Sequence, residues 1–412
     1  MATPTGADLS ARQPSTLRPA TTAELREALL DTAGCQPRVT VRGAGTADAW
    51  ANPPGRADAT VDTTAMSGIL AHHPGDMTVA VRAGTPLAAV QAEVAEHGQR
   101  VAADPARAAG GATVGGLLAT ADAGPSRLAY GTLRDLVIGV TVVLADGTVA
   151  RAGGHVIKNV AGYDLAKLFA GSFGTLGVLA EIVLRLHPAP RAAATVEIGA
   201  PRREAFATAR AIADAGVEPT AVELLDPGGP EGTARVLARF EGTPAGVAER
   251  SAAVAELTPH PTRTVPADEA ETLWAQVAAI CTGTPGDTVI RFGGRPADAA
   301  ALARRVAASA ADRAVRIGRA GTLGAGVHTV RLRGNGRRTH GLLLADLHAA
   351  VGPHCTVLRR DGVDASTPLW GPAPPAVALM RAVKRQFDPG NRFGTGRLEP
   401  WLTPHRDGER PA

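Results

Sequence analysis

Before residue 180 the chain carries three loops built from small residues, each beside the end of a predicted strand or helix: Gly43-Ala44-Gly45-Thr46, Gly110–Gly116 and Gly171–Gly177. Gly, Ser and Thr let a backbone approach a phosphate closely and aim its N–H groups at it. In a chain with 48 Gly, one such loop is most simply a turn. Three in one region shift the reading towards a large phosphate-bearing ligand. The common nucleotide fingerprints are missing. No lysine follows a suitable glycine loop, and Gly43-x-Gly45 lacks its third glycine because position 48 is Asp48. There is no H-E-x-x-H, no G-x-S-x-G and no EF-hand loop. His72-His73 and Pro353-His354-Cys355 read as loop residues, so no metal site is expected.

The elements around the loops alternate. Thr22–Leu30 reads as a helix with Thr21 or Thr22 as N-cap. Arg38–Arg42, Ala59–Asp62 and Thr78–Arg82 read as strands. Pro86–His97 reads as a helix with Thr85 as N-cap and Gly98 as terminator. Leu136–Leu144 turns at Asp146-Gly147 into a returning strand. Leu165–Ala170 is a short helix, and Leu176–Leu186 a strand ending at His187-Pro188-Ala189-Pro190. Beyond this proline pair the texture changes. Strands at Thr195–Ile198 and Thr220–Leu225, a helix at Arg203–Ala215, and β–α units around Ala234–Leu257 and Thr288–Ala310 suggest a mainly antiparallel sheet with helices on one face. Pro375–Gln386 reads as a last helix, with Leu379, Val383 and Phe387 at helical spacing for docking on a core.

Composition narrows the function. The 43 Lys+Arg against 39 Asp+Glu form no dense run, and aromatics make up 3%. Few stacking platforms and no basic stripe argue against nucleic acid as a partner. Cys35, Cys281 and Cys355 are far apart and form no C-x-x-C. That fits a reducing compartment and excludes an iron–sulfur or structural zinc site built on this chain alone. The N-terminus has no apolar signal region and no apolar run is long enough for a membrane span, so the chain reads as cytoplasmic. Three lysines stand against forty arginines: Lys158, Lys167 and Lys384. A rare residue persists where its chemistry resists replacement, which draws attention to residues 158–173 with Lys158, Asn159, Tyr163, Lys167, Phe169 and Phe173.

Residues 104–190, with YGTLRDLVIGVTVVLADGTV and HVIKNVAGYDLAKLFAGSFGTLGVL, resemble the PCMH-type FAD-binding domain of the vanillyl-alcohol oxidase flavoproteins. Within that family they are most similar to E-type glycolate oxidase subunits. VRGAGT, VDTTAMSGIL and VAVRAGTPLAAVQAEVAEHGQ extend the likeness upstream, and VKRQFDPGNRFGTGRL at 383–398 resembles the closing motif. The resemblance implies an α+β fold: a two-part FAD-binding domain over 21–190 and an α+β cap or substrate domain over 191–374. A C-terminal helix and closing motif over 375–400 would return to the FAD domain. Residues 1–20 and 401–412 are expected to be flexible.

The resemblance also implies roles. Gly43, Ala44, Gly45 and Thr46 match the first diphosphate loop. Asp104, Thr113, Val114, Gly115 and Gly116 match the second phosphate and ribityl segment, continued by Thr120 and Asp122. Gly174, Thr175, Leu176, Gly177 and Val178 match the stretch beside the adenosine half. The first loop has no His or Cys for a covalent link, so FAD is expected to be non-covalent. Phe173 stands where D-type chains carry Glu, and their His-rich metal motif is absent, which favours the E type. The implied partners are a D-type catalytic flavoprotein subunit and an iron–sulfur subunit, with peripheral membrane association through the complex. The implied reaction is oxidation of glycolate, a small 2-hydroxy acid, to glyoxylate. Two alternatives stay open: a stand-alone oxidase or dehydrogenase of another hydroxy acid, alcohol or sugar, and a non-catalytic assembly subunit.

For catalysis Lys158 is read as a cation near the flavin, which would favour its anionic reduced form. His155 is a candidate base, although a lone His in a Gly-Gly-His turn is more often structural. Tyr163 and Asp164 read rather as a polar cluster capping the helix that follows.

Overall fold

The computed structural model describes residues 14–35, 37–156, 163–228 and 232–402. Its first layer is a parallel three-stranded sheet in the order Ser15–Leu17, Ala59–Asp62, Val39–Arg42. Ser15–Leu17 therefore belongs to the fold, contrary to the expectation of a flexible segment over 1–20. Three residues are too short to display a period of two, so only pairing with Ala59–Val61 reveals them. Helix Thr22–Thr32 lays Leu25 and Leu29 against Val39, Val61 and Phe393. Its N-cap is Thr21, whose Oγ1 accepts from the Glu24 N–H at 3.1 Å. Thr21→Ala should cost about 1 kcal/mol, read from the denaturant midpoint, because that N–H loses its acceptor.

The second layer is an antiparallel sheet in the order Ile69–His73, Thr78–Arg82, Val178–Arg185, Val137–Val143, Val149–Gly153. His72 and His73 thus lie in a strand, not a loop; two adjacent imidazoles mask the alternation of the edge strand to which they belong. Val137–Val143 is almost wholly buried. Val140 and Val142 face the helices, while Val143 packs on the parallel layer, so the two sheets share one apolar filling. Helix Leu87–Ala95 begins one residue later than expected, with Pro86 in the cap position. Thr85 does not cap it, because its Oγ1 donates to the Arg82 carbonyl at 2.7 Å and accepts from the Gly68 N–H at 3.0 Å. Leu165–Phe169 is a 3₁₀ turn.

Residues 192–359 build an eight-stranded, wholly antiparallel sheet. Its order is Thr262–Val265, Ala192–Pro201, Thr233–Gly242, Ala221–Asp226, Arg316–Thr322, Val327–Arg333, Thr288–Gly293, Cys355–Arg359. Cys355 accordingly opens a strand and does not sit in a loop. Helices cover both faces, not one. Val236 packs with Phe206 and Ile212 on one side. Its neighbour Leu237 packs with Leu273, Val277 and Ile280 of helix Ala267–Thr282 on the other. Every residue of Ala221–Asp226 is buried, the signature of a strand covered twice.

Helix Val377–Phe387 returns to the first region. Val383 and Phe387 join its core, with the Phe387 and Phe169 rings 5.9 Å apart. Leu379, one turn before Val383, is 66% exposed, while Lys384 of the same helix is buried. The Lys384 ammonium is buried and donates to Asp388 at 2.5 Å and to the carbonyls of Thr175 and Phe393 at 2.8 and 2.9 Å. The segment after 400 is not wholly loose: Trp401 is buried, and its indole donates to the Gly371 carbonyl. Among the described residues no helix is long and apolar enough to cross a membrane.

Candidate functional site

The strand Val39–Arg42 ends at the first glycine loop, and the chain turns there under Arg42. Gly45 takes φ 75°, the left-handed region that Gly enters without strain, and Arg42 packs over it while pairing with Asp48. Among the described residues the backbone N–H groups of Gly43, Ala44, Gly45 and Thr46 donate to no protein acceptor. They open onto a cleft bounded by all three small-residue loops. Four unspent donors in succession form a nest for an anion.

The second loop behaves differently. Its N–H groups are spent inside the protein: Val114 on Thr85, Gly115 on Ala83, Leu117 on Thr113, and Gly116 on the Thr113 hydroxyl. Thr113, Gly115, Gly116 and Thr120 still line the cleft, but as a wall of small side chains. A Cβ on Gly43 would lie 2.5 Å from Thr113 Oγ1, and one on Gly115 would lie 2.8 Å from Ala83. The two loops approach too closely for any side chain between them. In the third loop Gly174 and Gly177 line the cleft, whereas Leu176 and Val178 face the core and Thr175 is tied by its carbonyl to Lys384. Val114 is likewise core. Phe173, a non-glycine residue at φ 53°, is held at the rim by its N–H to the Ala119 carbonyl and by edge contact with Trp370.

A second cavity, of about 170 Å³, shares Asp122 with the first. One wall is Ala123, Gly124 and Pro125. The opposite wall is one face of helix Ala267–Thr282, carrying Trp274, Val277, Ala278 and Cys281 at i, i+3, i+4 and i+7. Asp104 lies here, away from the glycine loops. Its Oδ2 accepts from Arg239 at 2.8 Å and its Oδ1 from the Ser126 N–H, so it joins the two regions of the fold. Asp122 stands between Arg107 at 3.7 Å and Arg291 at 3.8 Å. The same two guanidiniums lie over the Trp50 ring, 4.3 and 5.3 Å from its centroid. Burial pulls the Arg107 pKa down and brings Arg291 to about 10, with Arg127 and Arg107 also pushing Arg291 down. Burial pushes the Cys281 thiol up to about 11, so it stays protonated.

Arg107, Arg291, Trp50 and the closing-motif Arg397, which also lines the cleft, were missed by the sequence reading. The rarity argument applied to lysine would have found Trp50 had it been applied to the four tryptophans. His155 is exposed, with its ring 5.7 Å from that of His73, and lines neither cavity. Tyr163 is 89% exposed, and Asp164 pairs with Lys167 at 3.2 Å without capping the turn after it. Lys158 lies outside the described residues.

Comparison with known proteins agrees with this geometry. Residues 14–153 match the family model described as FAD binding domain. Glycolate oxidase subunit GlcE of Escherichia coli is 41% identical over 133 residues, 32% of this chain and 38% of that protein. The mitochondrial cytochrome-dependent D-lactate dehydrogenase of Arabidopsis thaliana is 37% identical over 167 residues, 40% of this chain and 29% of that protein. The chain thus spans well under half the length of these curated relatives. p-Cresol methylhydroxylase superposes with a TM-score of 0.73 at 14% identity, covering 93% of this chain and 88% of that one, which establishes a shared fold. The match over residues 14–153 supports FAD as the cofactor of this part of the chain, and the likeness in fold extends over most of the chain. The nest at Gly43–Thr46 and the cradle that a Cβ at Gly43 would fill are the features such a diphosphate requires.

Proposed function

We propose that this chain is the FAD-binding subunit of a 2-hydroxy acid oxidase or dehydrogenase complex, taking part in the oxidation of glycolate to glyoxylate. The observation that carries the reading is the run of free N–H groups at Gly43–Thr46, in a cleft that shares the lining residue Asp122 with an arginine-lined cavity. The likeness to glycolate oxidase subunit GlcE supports the substrate. Gly43–Thr46 would hold the diphosphate, Thr113, Gly115, Gly116 and Thr120 would flank the ribityl chain, and Gly174 and Gly177 the adenosine half. The ring would lie towards Asp122, which also lines the second cavity. When bound, FAD supplies the hydride acceptor for the C2–H of the acid. The chain's own residues bind and orient: Arg127, Arg239 and Arg291 give the second cavity the cationic character that a carboxylate-bearing acid needs, and Trp274, Val277 and Ala278 exclude water.

We read residues 21–190 as the FAD-binding domain, 191–374 as the cap, and 375–400 as the return. The FAD would be non-covalent. Among the described residues no His, Cys or Tyr lines the first cleft, and Cys281 in the second is a protonated thiol. Electrons would leave for an iron–sulfur subunit, beside a D-type flavoprotein subunit, because the three cysteines are dispersed and unpaired. Free thiols also suit the cytoplasm.

The test is the visible spectrum of the purified chain, before and after acid precipitation, followed by anaerobic glycolate with the partner subunits. Flavin bands released into the supernatant by acid and bleached by glycolate are expected. A colourless protein that takes up no added FAD overturns the reading and favours an assembly subunit.

A further inference from the structure

A third cavity, of about 370 Å³, lies across the eight-stranded sheet from helix Ala267–Thr282. Strand alternation puts it there. In Arg316–Thr322 the side chain of Arg319 lines this cavity, while its neighbour Ala320 packs with Ile280 of that helix on the other face. The cavity shares no lining residue with the first two. One wall is a face of helix Ala299–Ala311 with Ala300, Ala303 and Ala307 at i, i+3 and i+7, and Arg304 beside them. Methyl groups leave a trough along that helix. Phe206, in the first turn of helix Ala205–Asp214, completes the apolar lining.

Arg319 is 7% exposed, and its Nη1 donates to Asp226 at 2.8 Å. Its Nε is buried with no hydrogen-bond partner among the described residues. Asp226, 1% exposed, does not serve Arg319 alone. Its Oδ2 also accepts from Arg202 Nε at 2.8 Å, and its Oδ1 from Arg202 Nη2 and the Gly228 N–H, both at 3.0 Å. Arg304 is exposed at the rim and makes no hydrogen bond or ion pair with the described residues. Burial, with Arg202 close by, pulls the Arg319 pKa down further than Asp226 raises it. A buried cation short of acceptors is relieved when an anion arrives.

We propose that this cavity is a second binding site of the chain, for a small amphipathic anion with a carboxylate or phosphate head on an apolar chain. The head would take the spare donors of Arg319 and Arg304, whose planar forks match such oxygens. The chain would lie on Phe206 and the alanine face. The proposal does not depend on the FAD reading, because the site stands on the other face of the sheet from Cys281 and the second cavity.

The test is calorimetric titration of the full-length protein, with and without bound FAD, using octanoate, octyl phosphate and octanol. One of the two anions should bind at least about tenfold more tightly than octanol, the gain expected of one charge-assisted hydrogen bond, and the tighter one identifies the head group. Arg304→Met and Arg319→Met should each remove most of that preference while octanol still binds. Ala303→Trp should abolish binding of all three by filling the trough. Arg305→Met, exposed on the same helix but outside the cavity, should change nothing. Melting curves confirm that each variant is folded. Arg319→Met also takes a partner from Asp226, so Arg304→Met carries the test if that variant does not fold. Absence of binding, equal binding of the three probes, or an anion preference that survives Arg304→Met overturns the proposal. So does binding that disappears once FAD is loaded, which would place the probes in the flavin's own cleft.

Discussion

Gly43→Ala should weaken FAD binding by about a hundredfold, while the melting temperature of the flavin-free protein falls only slightly. At this position a Cβ would lie 2.5 Å from Thr113 Oγ1, the atom that accepts the Gly116 N–H at 3.2 Å. The added methyl must displace either the Gly43–Thr46 loop or Thr113, and either movement re-aims the four free N–H groups. Hydrogen bonds to a charged acceptor contribute about 1.5–3 kcal/mol each, so misdirecting one or two corresponds to roughly two decades in the dissociation constant. The apoprotein loses less, because those N–H groups make no protein contacts that folding depends on. Gly75→Ala is the matched control, since its Cβ would meet nothing within 4 Å. Fluorescence titration of free FAD into both proteins checks this. Equal affinities for the two variants would remove Gly43–Thr46 from the diphosphate site.

The glycine loops were legible because they are local: a Gly-Ala-Gly-Thr run after a strand carries its chemistry in adjacent residues. The strands Ala59–Asp62 and Thr78–Arg82 were equally plain, since the first alternates within its own span and the second is a short apolar, β-branched run. Two things could not be read that way. Helix Ala267–Thr282 begins with Ala-Asp-Glu-Ala-Glu, and its apolar face, Trp274, Val277 and Cys281, emerges only once helical spacing is imposed. Missing it left one sheet face uncovered and hid a wall of the second cavity. The cluster of Trp50, Arg107, Asp122 and Arg291 is assembled from four separated segments, each unremarkable where it stands. In a chain where arginine nearly replaces lysine, no single arginine signals anything. Only the antiparallel sheet, folding Arg291 back over Asp122, creates the site. Asp104 shows the converse: it adjoins the second phosphate segment in sequence, but its carboxylate is spent on Arg239.

Asp388→Ala should cost about 3–5 kcal/mol, the range for removing one partner of a buried ion pair. Asp388 is 1% exposed and does three jobs. Its Oδ2 accepts from Lys384 and from the Phe393 N–H, and its Oδ1 from the Arg392 N–H. The substitution would leave the Lys384 ammonium buried with only the carbonyls of Thr175 and Phe393, and would free two backbone donors in the closing motif. The damage should travel. The Thr175 carbonyl belongs to the third glycine loop, and Phe393 sits in the core of the parallel layer beneath the nest, so FAD affinity should fall with stability. Asp388→Asn keeps the acceptor geometry without the charge and should lose less. Lys384→Met in the Asp388→Leu background should recover part of the stability, because an apolar pair leaves no stranded charge. Denaturant titrations of wild type and these four variants, with and without FAD, separate these terms. If Asp388→Ala loses less than about 1 kcal/mol, the ammonium reaches water once its partner is gone, and the closing motif is held by Phe393 and Arg392 rather than by this ion pair.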